Sequence, residues 1–324
     1  IIPSVFSPKI QANPMNEAEL AALNQRFAIA HAHTQLHIEN GLGELPIIHL
    51  HNPHATAKIS LYGGQILSYR PHDTTHELMF LSDKAFYQKG KAIRGGAPLC
   101  WPWFGADPEN QGRPSHGFAR TRLWQLHTTE SLSDGATRML LGLNDNPDTL
   151  TLWPHRFALE LEIIIGKTLK LTLSTHNLSE QPMSISQAIH SYFAVGDIAR
   201  TEVVGLEQLR YIDKSKAGQN TLRTQDGSIQ VEQEVDRIYL NSSGEVQIHD
   251  HAWQRRIRIR STGSQSTVVW NPWIEIAAQM ADLNDDDYQR FICVETANVA
   301  DNTIKIAAQA QHRMAVEYTI EPQP

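Results

Sequence analysis

Cysteine is almost missing from this sequence: two in 324 residues, Cys100 and Cys293, in different surroundings. That excludes a disulfide framework and points to a reducing compartment. Long apolar runs are missing too. No stretch approaches the roughly 20 apolar residues that a membrane helix needs, and no charged leader with an apolar core opens the sequence given, so neither a span nor a secretory signal is expected. An excess of basic charge is also lacking. A net charge of −7 argues against a protein that tracks a phosphate backbone, while leaving room for one basic pocket that holds a small anion. There is no Gly/Ser-rich linker, no sharp shift of composition and no repeat of fixed period. The expectation is a cytoplasmic chain with no nucleic-acid or membrane partner.

What is present is ordinary for a globular protein: 41% apolar and 19% charged residues. Length alone would suggest about two domains, but large all-β folds often run as one, and the chain can bury a core without staples. One helix is expected near the start, where Asn16 and Glu19 form a capping pair and Leu20, Leu23 and Phe27 follow at helical spacing. After about residue 40 the period becomes two. Leu159, Leu161, Ile163 and Ile165 alternate with mostly polar partners, as do Leu169, Leu171 and Leu173, and then Met314, Val316, Tyr318 and Ile320. Such alternation marks strands with one buried face. Asn40-Gly41, Asp134-Gly135 and Asp226-Gly227 are tight-turn pairs, and Arg122 to Thr129 with Thr137 to Leu143 reads as a hairpin. Many short strands with few helices predict an all-β sandwich or barrel. The simplest division is a single β-sandwich domain over residues 1–324, with residues 1–40 an N-terminal extension carrying the short helix.

Several residues break this plain pattern. Glu295 ends the apolar run Phe291-Ile292-Cys293-Val294. A carboxylate there either lies at a wet strand end or is tuned as a general base. His190, inside Ala188-Ile189-His190-Ser191-Tyr192, is either a satisfied core histidine or a general acid, since imidazole titrates near neutrality. The loop Arg94-Gly95-Gly96-Ala97-Pro98-Leu99-Cys100-Trp101-Pro102-Trp103-Phe104 reads either as a packed irregular loop or as a sugar site. In the second case the glycines admit a ligand close to backbone, the aromatics offer stacking faces and Arg94 offers a planar fork. Ser115-His116-Gly117-Phe118-Ala119-Arg120, Asp236-Arg237 and Trp270-Asn271-Pro272-Trp273 complete the unusual chemistry.

In order and combination, these segments resemble the aldose 1-epimerase superfamily, and within it the hexose-6-phosphate mutarotases. The resemblance runs from the Arg94 loop to Glu295. It implies a galactose-mutarotase-like β-supersandwich with a few short helices, and an isomerase that exchanges the α and β anomers of a hexose 6-phosphate, glucose 6-phosphate in particular. It implies His190 as general acid and Glu295 as general base, on opposite sides of the hemiacetal, with Arg94, His116, Arg120 and Asp236 binding substrate. Arg94 and Arg120 would hold the phosphate, Asp236 and His116 the ring hydroxyls, and Lys214 is a further candidate for the anion. Ser115 stands where many members carry glutamine, a departure from the family pattern that leaves open whether this position touches the sugar. The Trp270–Trp273 segment and Met280-Ala281-Asp282 also look like the family. No cofactor and no metal are expected, the partner is a small phosphosugar, and the chain is expected to be a monomer. Two other readings remain: a mutarotase of free aldoses, and a sugar-binding protein without catalysis. A glycosidase would need two carboxylates, and only one presents itself.

Three features are set aside. His31, His33 and His37, and His49, His51 and His54, lack a carboxylate or cysteine to complete a ligand set. Arg255-Arg256-Ile257-Arg258-Ile259-Arg260 reads as the polar face of a strand, an edge protected by charge. Asp285-Asp286-Asp287 reads as a solvated loop without the spacing of a calcium loop.

Overall fold

A computed structural model describes residues 15–31 and 33–323. Residues 1–14 of the expected N-terminal extension lie outside the described residues. The helices are α1 (Glu17–Phe27), α2 (Pro147–Leu152) and α3 (Trp273–Ala277). The strands begin with β1 (Ile29–His31), β2 (Thr34–Asn40), β3 (Pro46–His51), β4 (Ala55–Ser60), β5 (Gln65–Pro71), β6 (Leu99–Cys100), β7 (Gln125–Ser131) and β8 (Thr137–Asn144). There follow β9 (Phe157–Ile165), β10 (Leu169–Asn177), β11 (Met183–Ile185), β12 (Gln187–Ile189), β13 (Tyr192–Ala194), β14 (Thr201–Val204), β15 (Arg210–Asp213) and β16 (Thr221–Thr224). The last are β17 (Ile229–Gln230), β18 (Val235–Leu240), β19 (Val246–Asp250), β20 (Arg255–Thr262), β21 (Ser266–Asn271), β22 (Phe291–Asn298), β23 (Ile304–Ile306) and β24 (Gln311–Pro322).

These strands form a five-stranded sheet β1-β2-β3-β4-β5, a nine-stranded sheet β17-β14-β19-β20-β24-β10-β9-β8-β7, an eight-stranded sheet β16-β15-β18-β21-β22-β12-β6 with β13 also on β22, and the pair β11-β23. All the strand pairs are antiparallel, so each strand can bury one face. The expected hairpin is β7–β8 around Asp134-Gly135; β7 starts at Gln125 rather than Arg122, because the Arg122 carbonyl accepts from the Gly63 N–H at 2.7 Å.

Helix α1 starts with the expected capping box: the Asn16 side chain accepts from the Glu19 N–H, and Glu19 accepts from the Asn16 N–H, each at 2.9 Å. The Asn24 amide then ties the helix to β2, donating to the Ile38 carbonyl at 2.7 Å and accepting from its N–H at 2.8 Å. Period two begins at Thr34, earlier than residue 40. Leu36 and Ile38 point inward while Gln35, His37 and Glu39 point out.

Two expectations fail here. Strand β20 is interior, between β19 and β24. Ile257 and Ile259 face the core, and on the other face Arg258 reaches Glu245 at 2.7 Å and Glu321 at 2.9 Å, with Arg256 also on Glu321. Neighbouring glutamates neutralise the arginines, so they need no edge. Asp287 is not a solvated loop residue: it is fully buried and accepts from the Asn284 N–H at 2.8 Å and from Ser82 Oγ at 3.2 Å.

The two large sheets meet face to face in one apolar cluster that includes Leu161, Leu173, Val316, Phe193, Ile292 and Val294. Tyr318 of β24 packs edge-on against Phe193 of β13 at 5.2 Å, and its hydroxyl lies 2.5 Å from Ser191 Oγ. Alternation then decides the other face. With Ser191 and Phe193 spent on the core, His190 and Tyr192 point away from it; with Ile292 and Val294 inward, Cys293 and Glu295 point the same way as His190. The candidate site is the outer face of the eight-stranded sheet.

Candidate active site

His190 sits between β12 and β13, its N–H donating to the Pro98 carbonyl at 2.9 Å. Its Nδ1 lies 3.4 Å from Oε1 of Glu295, and the two side chains are 9% and 1% exposed. Glu295 is thus not at a wet strand end. Neither Nδ1 of His190 nor Oε2 of Glu295 has a hydrogen-bond partner among the described residues. Buried polar atoms are normally paired, so two unpaired atoms on adjacent titratable groups mark a place built for something else. Burial pushes the Glu295 carboxyl well above its ordinary pKa, with Asp236 adding to the effect and Arg120 opposing it. Burial likewise holds His190 well below its ordinary value, helped by His116, Arg120 and Arg94. The 3.4 Å contact also corrects one expectation: acid and base stand side by side, not across a ring from each other.

The other expected residues gather around this pair. The His116 ring centre is 6.0 Å from that of His190. Its Nδ1 accepts from the Gly105 N–H at 3.2 Å, which leaves Nε2 as the protonated nitrogen and a donor. Burial, then Arg120 and Arg94, lower its pKa to about 3, so it stays neutral. Asp236 on β18 lies opposite Trp270 of β21, and burial raises its pKa to about 6 against the pull of Lys214. The Lys214 N–H donates to the Asp236 carbonyl at 2.7 Å. Arg120 donates through Nη2 to the Ser115 carbonyl at 3.0 Å and has no carboxylate within ion-pair distance among the described residues. Ser115 spends its hydroxyl on the Gly105 carbonyl at 3.1 Å.

Arg94 is engaged within the protein. Nε and Nη2 each lie 3.1 Å from Oδ2 of Asp282, and Nη1 donates to the Tyr192 hydroxyl at 2.8 Å. Tyr192 in turn stacks on His190, ring centres 4.8 Å apart and 7° from parallel. A chain of contacts therefore runs Asp282, Arg94, Tyr192, His190. Sequence reasoning passed over Tyr192 and gave Asp282 no role. The spacing of two from His190 was the available signal for Tyr192, since residues i and i+2 on a strand share a face.

The Arg94 loop itself differs from its sugar-site reading. A Cβ on Gly95 would lie 2.4 Å from the Phe80 carbonyl oxygen, and one on Gly96 2.1 Å from that of Ile66. The glycines admit the protein's own backbone rather than a ligand. Trp101 and Trp103 are buried in the core, at 0% and 4% exposure, and offer no open stacking face. Trp270, by contrast, is partly exposed and stands edge-on to His190 at 6.0 Å. Cys100 and Cys293 are free and buried.

The family described as aldose 1-epimerase matches residues 46–319, a span that holds His190, Glu295, Arg94, His116, Arg120 and Asp236. The chain belongs to the aldose 1-epimerase family. It is 36% identical over 274 residues to an Escherichia coli (strain K12) protein provisionally named glucose-6-phosphate 1-epimerase, covering 85% of this chain and 90% of that one. A crystal structure of a provisionally assigned mutarotase from Salmonella typhimurium superposes with a TM-score of 0.82 at 31% identity, covering 94% of this chain and 99% of that one. A galactose mutarotase related enzyme from Lactobacillus acidophilus shares the fold alone, with a TM-score of 0.67 at 15% identity over 86% of this chain and 98% of its own. The all-β, galactose-mutarotase-like architecture expected from the resemblance is the one found, and the chain is an isomerase of the epimerase type. No helix among the described residues is long and apolar enough to cross a membrane.

Proposed function

We propose that this epimerase interconverts the α and β anomers of a hexose 6-phosphate, with His190 and Glu295 as the acid/base pair. The observation that carries the reading is the pair itself: two buried titratable groups in contact, each with an unpartnered atom. Anomer exchange requires the C1 hydroxyl to lose a proton while the ring oxygen gains one. The C1–O5 bond then breaks, C1 becomes a carbonyl, the C1–C2 bond turns, and reclosure from the other face regenerates the hydroxyl. Both oxygens are bonded to C1, so a donor and an acceptor 3.4 Å apart can serve them from one side. In the proposed roles Glu295 takes the C1 proton and His190 protonates the ring oxygen, reversed on closing.

The pair needs one proton in all. Imidazolium beside carboxylate and imidazole beside carboxylic acid carry the same count, so the two groups titrate as one coupled pair. Burial favours the uncharged form; an arriving hydroxyl and the nearby charges of Asp236 and Arg120 decide which form reacts.

The phosphate reading rests on charge. Arg120, whose charge acts on both His190 and Glu295, has no carboxylate partner among the described residues, and the charge of Lys214 acts on Asp236. Arg94 keeps donors to spare, since a guanidinium has five N–H groups, but Asp282 already balances its charge. That balance favours a second reading, a mutarotase of free aldoses in which Arg94 binds hydroxyls. His116 and Asp236 would hold ring hydroxyls in either case.

The test is anomer-exchange NMR at equilibrium on glucose 6-phosphate, glucose and galactose, with wild type and Glu295→Gln. Fast exchange of the phosphosugar alone, lost in the variant, supports the first reading. Exchange of the free sugars instead selects the second. No enhancement from a folded protein leaves a sugar-binding role and removes the proposal.

A further inference from the structure

The five-stranded sheet carries a second cluster of reactive side chains on its solvent face, on a different sheet from His190 and Glu295. His37 of β2 and His49 of β3 are direct cross-strand partners, and Glu39 lies two residues beyond His37 on the same face. The two imidazoles stack, ring centres 5.0 Å apart and planes 8° from parallel. Both turn Nε2 toward one carboxylate: His49 lies 3.0 Å from Oε1 of Glu39 and His37 lies 3.7 Å from Oε2. One donor atom from each residue falls within 4.8 Å of the other two. The sequence alone set these histidines aside for want of a carboxylate; Glu39 supplies it two residues beyond His37 on the same face, and strand register brings His49 alongside.

We infer that His37, Glu39 and His49 form a site for a divalent transition-metal ion, Zn²⁺ in the first instance. Metal–nitrogen and metal–oxygen distances near 2.0–2.2 Å in a tetrahedron put neighbouring ligand atoms roughly 3.3 Å apart; the nitrogens lie 3.0 and 3.7 Å from the two oxygens of Glu39, and one atom from each residue lies within 4.8 Å of the others, so the side chains must close in to reach that spacing. Two imidazoles and a carboxylate are a ligand set that suits Zn²⁺, Ni²⁺ or Cu²⁺ and is poor for Ca²⁺ or Mg²⁺. A modest side-chain rotation converges the parallel lone pairs, and the strands hold the three Cα positions fixed. The fourth position faces an open concavity lined by Gln35, His51, Lys58 and Glu77, leaving it to water or another small ligand. Burial first, and then His37 and Lys58 against the opposing pull of Glu39, lower the His49 pKa, which favours the unprotonated imidazole that binds metal at neutral pH. A contrasting group shows what falls short: His249 and His251 both approach Oε1 of Glu202, at 3.6 and 3.3 Å, but with ring centres 6.3 Å apart the three do not bring one donor atom each within 4.8 Å of both others.

The test is calorimetric titration of the untagged chain with Zn²⁺, and visible spectroscopy with Co²⁺ as a coloured substitute. Wild type, His37→Ala, His49→Ala and the control His251→Ala would be compared, with thermal melting to show that each is folded. One saturable site per chain is expected, with a tetrahedral-type Co²⁺ band. Loss of a ligand should weaken it by more than the ~10–100-fold that loss of an outer partner costs, while His251→Ala leaves it unchanged. Absence of a saturable site in wild type, or a site that survives both His37→Ala and His49→Ala, overturns the inference. A site lost with His251→Ala alone places the metal elsewhere and also overturns it. Glu39→Gln keeps the shape and removes the charge, so it should weaken binding without altering the melting point in metal-free buffer.

Discussion

Replacing Glu295 by glutamine should slow anomer exchange and make the protein more stable. The carboxyl group is 1% exposed, one of its oxygens has no partner, and burial has pushed its pKa well up. An unpaired buried polar atom costs about 1–3 kcal/mol. In the variant the amide NH₂ can turn toward the unpartnered Nδ1 of His190, 3.4 Å from the present Oε1, pairing one orphan and removing a charge-bearing group. The stability gain should therefore be about 1–3 kcal/mol, seen as a Tm higher by a few degrees in a chain of this size. The rate should fall by the value of one general base, ~10²–10⁴-fold, which at about 1.4 kcal/mol per decade is roughly 3–5.5 kcal/mol of barrier. Anomer-exchange NMR and calorimetric melting measure the two quantities on the same sample. A variant within tenfold of wild type would show that Glu295 is not the base. A variant that loses rate and melts lower would show that the carboxylate is a structural anchor, and that its unpartnered oxygen had been misjudged.

Other consequences follow from the same geometry. The rate should hold a plateau through neutral pH, because burial moves His190 down and Glu295 up and so widens the range in which the pair carries one proton; a narrow bell centred near pH 6.5 would refute the shared-proton reading. Asp236, with a pKa of about 6, binds hydroxyls as a carboxylate, so KM should fall as pH rises through about 6, and this change should vanish in Asp236→Asn. Arg120→Ala removes the unbalanced cation and should raise KM for the phosphosugar roughly 10–100-fold, the value of a charge-assisted bond of about 1.5–3 kcal/mol, with little effect on any free sugar. Tyr192→Phe keeps the stack on His190 but leaves the Arg94 Nη1 without its acceptor, so substrate affinity should suffer more than kcat, whereas Tyr192→Leu should reduce kcat by loosening His190. Gly117→Ala places a Cβ 2.0 Å from the Trp101 carbonyl oxygen at φ +70°, and should cost about 1–3 kcal/mol or more of stability in a melting experiment.

Much of this was legible before any coordinates. Period-two stretches located β9, β10 and β24 because apolar residues alternate there without interruption. The six residues singled out by the family pattern do come together around one pair. Where the reading failed, it failed over what covers a residue, which local pattern does not encode. Gly95 and Gly96 could serve a ligand or a neighbouring strand equally well, and only the packing shows that Phe80 and Ile66 occupy the space. Alternating arginines on β20 suggested an edge because their partners lie on neighbouring segments, Glu245 just before β19 and Glu321 on β24. His49 joined His37 and Glu39 through a register between β2 and β3 that no spacing within one strand reveals. Tyr192 was readable in principle, two residues from His190, but its hydrogen bond to Arg94 spans 98 positions.

The way the sheet is built explains how so costly a pair can persist. His190 and Glu295 would each be expensive to bury alone, since both prefer charge and water. Their strands do not depend on them for stability: Ser191 and Phe193 on one side, and Ile292 and Val294 on the other, hold β13 and β22 against the nine-stranded sheet through Tyr318 and its neighbours. Alternation then presents the intervening residues on the far face whatever their chemistry. The core fixes backbone position and the outer face is free to hold unpaired groups, with the Asp282–Arg94–Tyr192 chain locking the imidazole plane from the side. Core changes on β13 or β22 should therefore be felt as rate before they are felt as unfolding, because a shift too small to melt the sheet already separates two atoms that must act 3.4 Å apart.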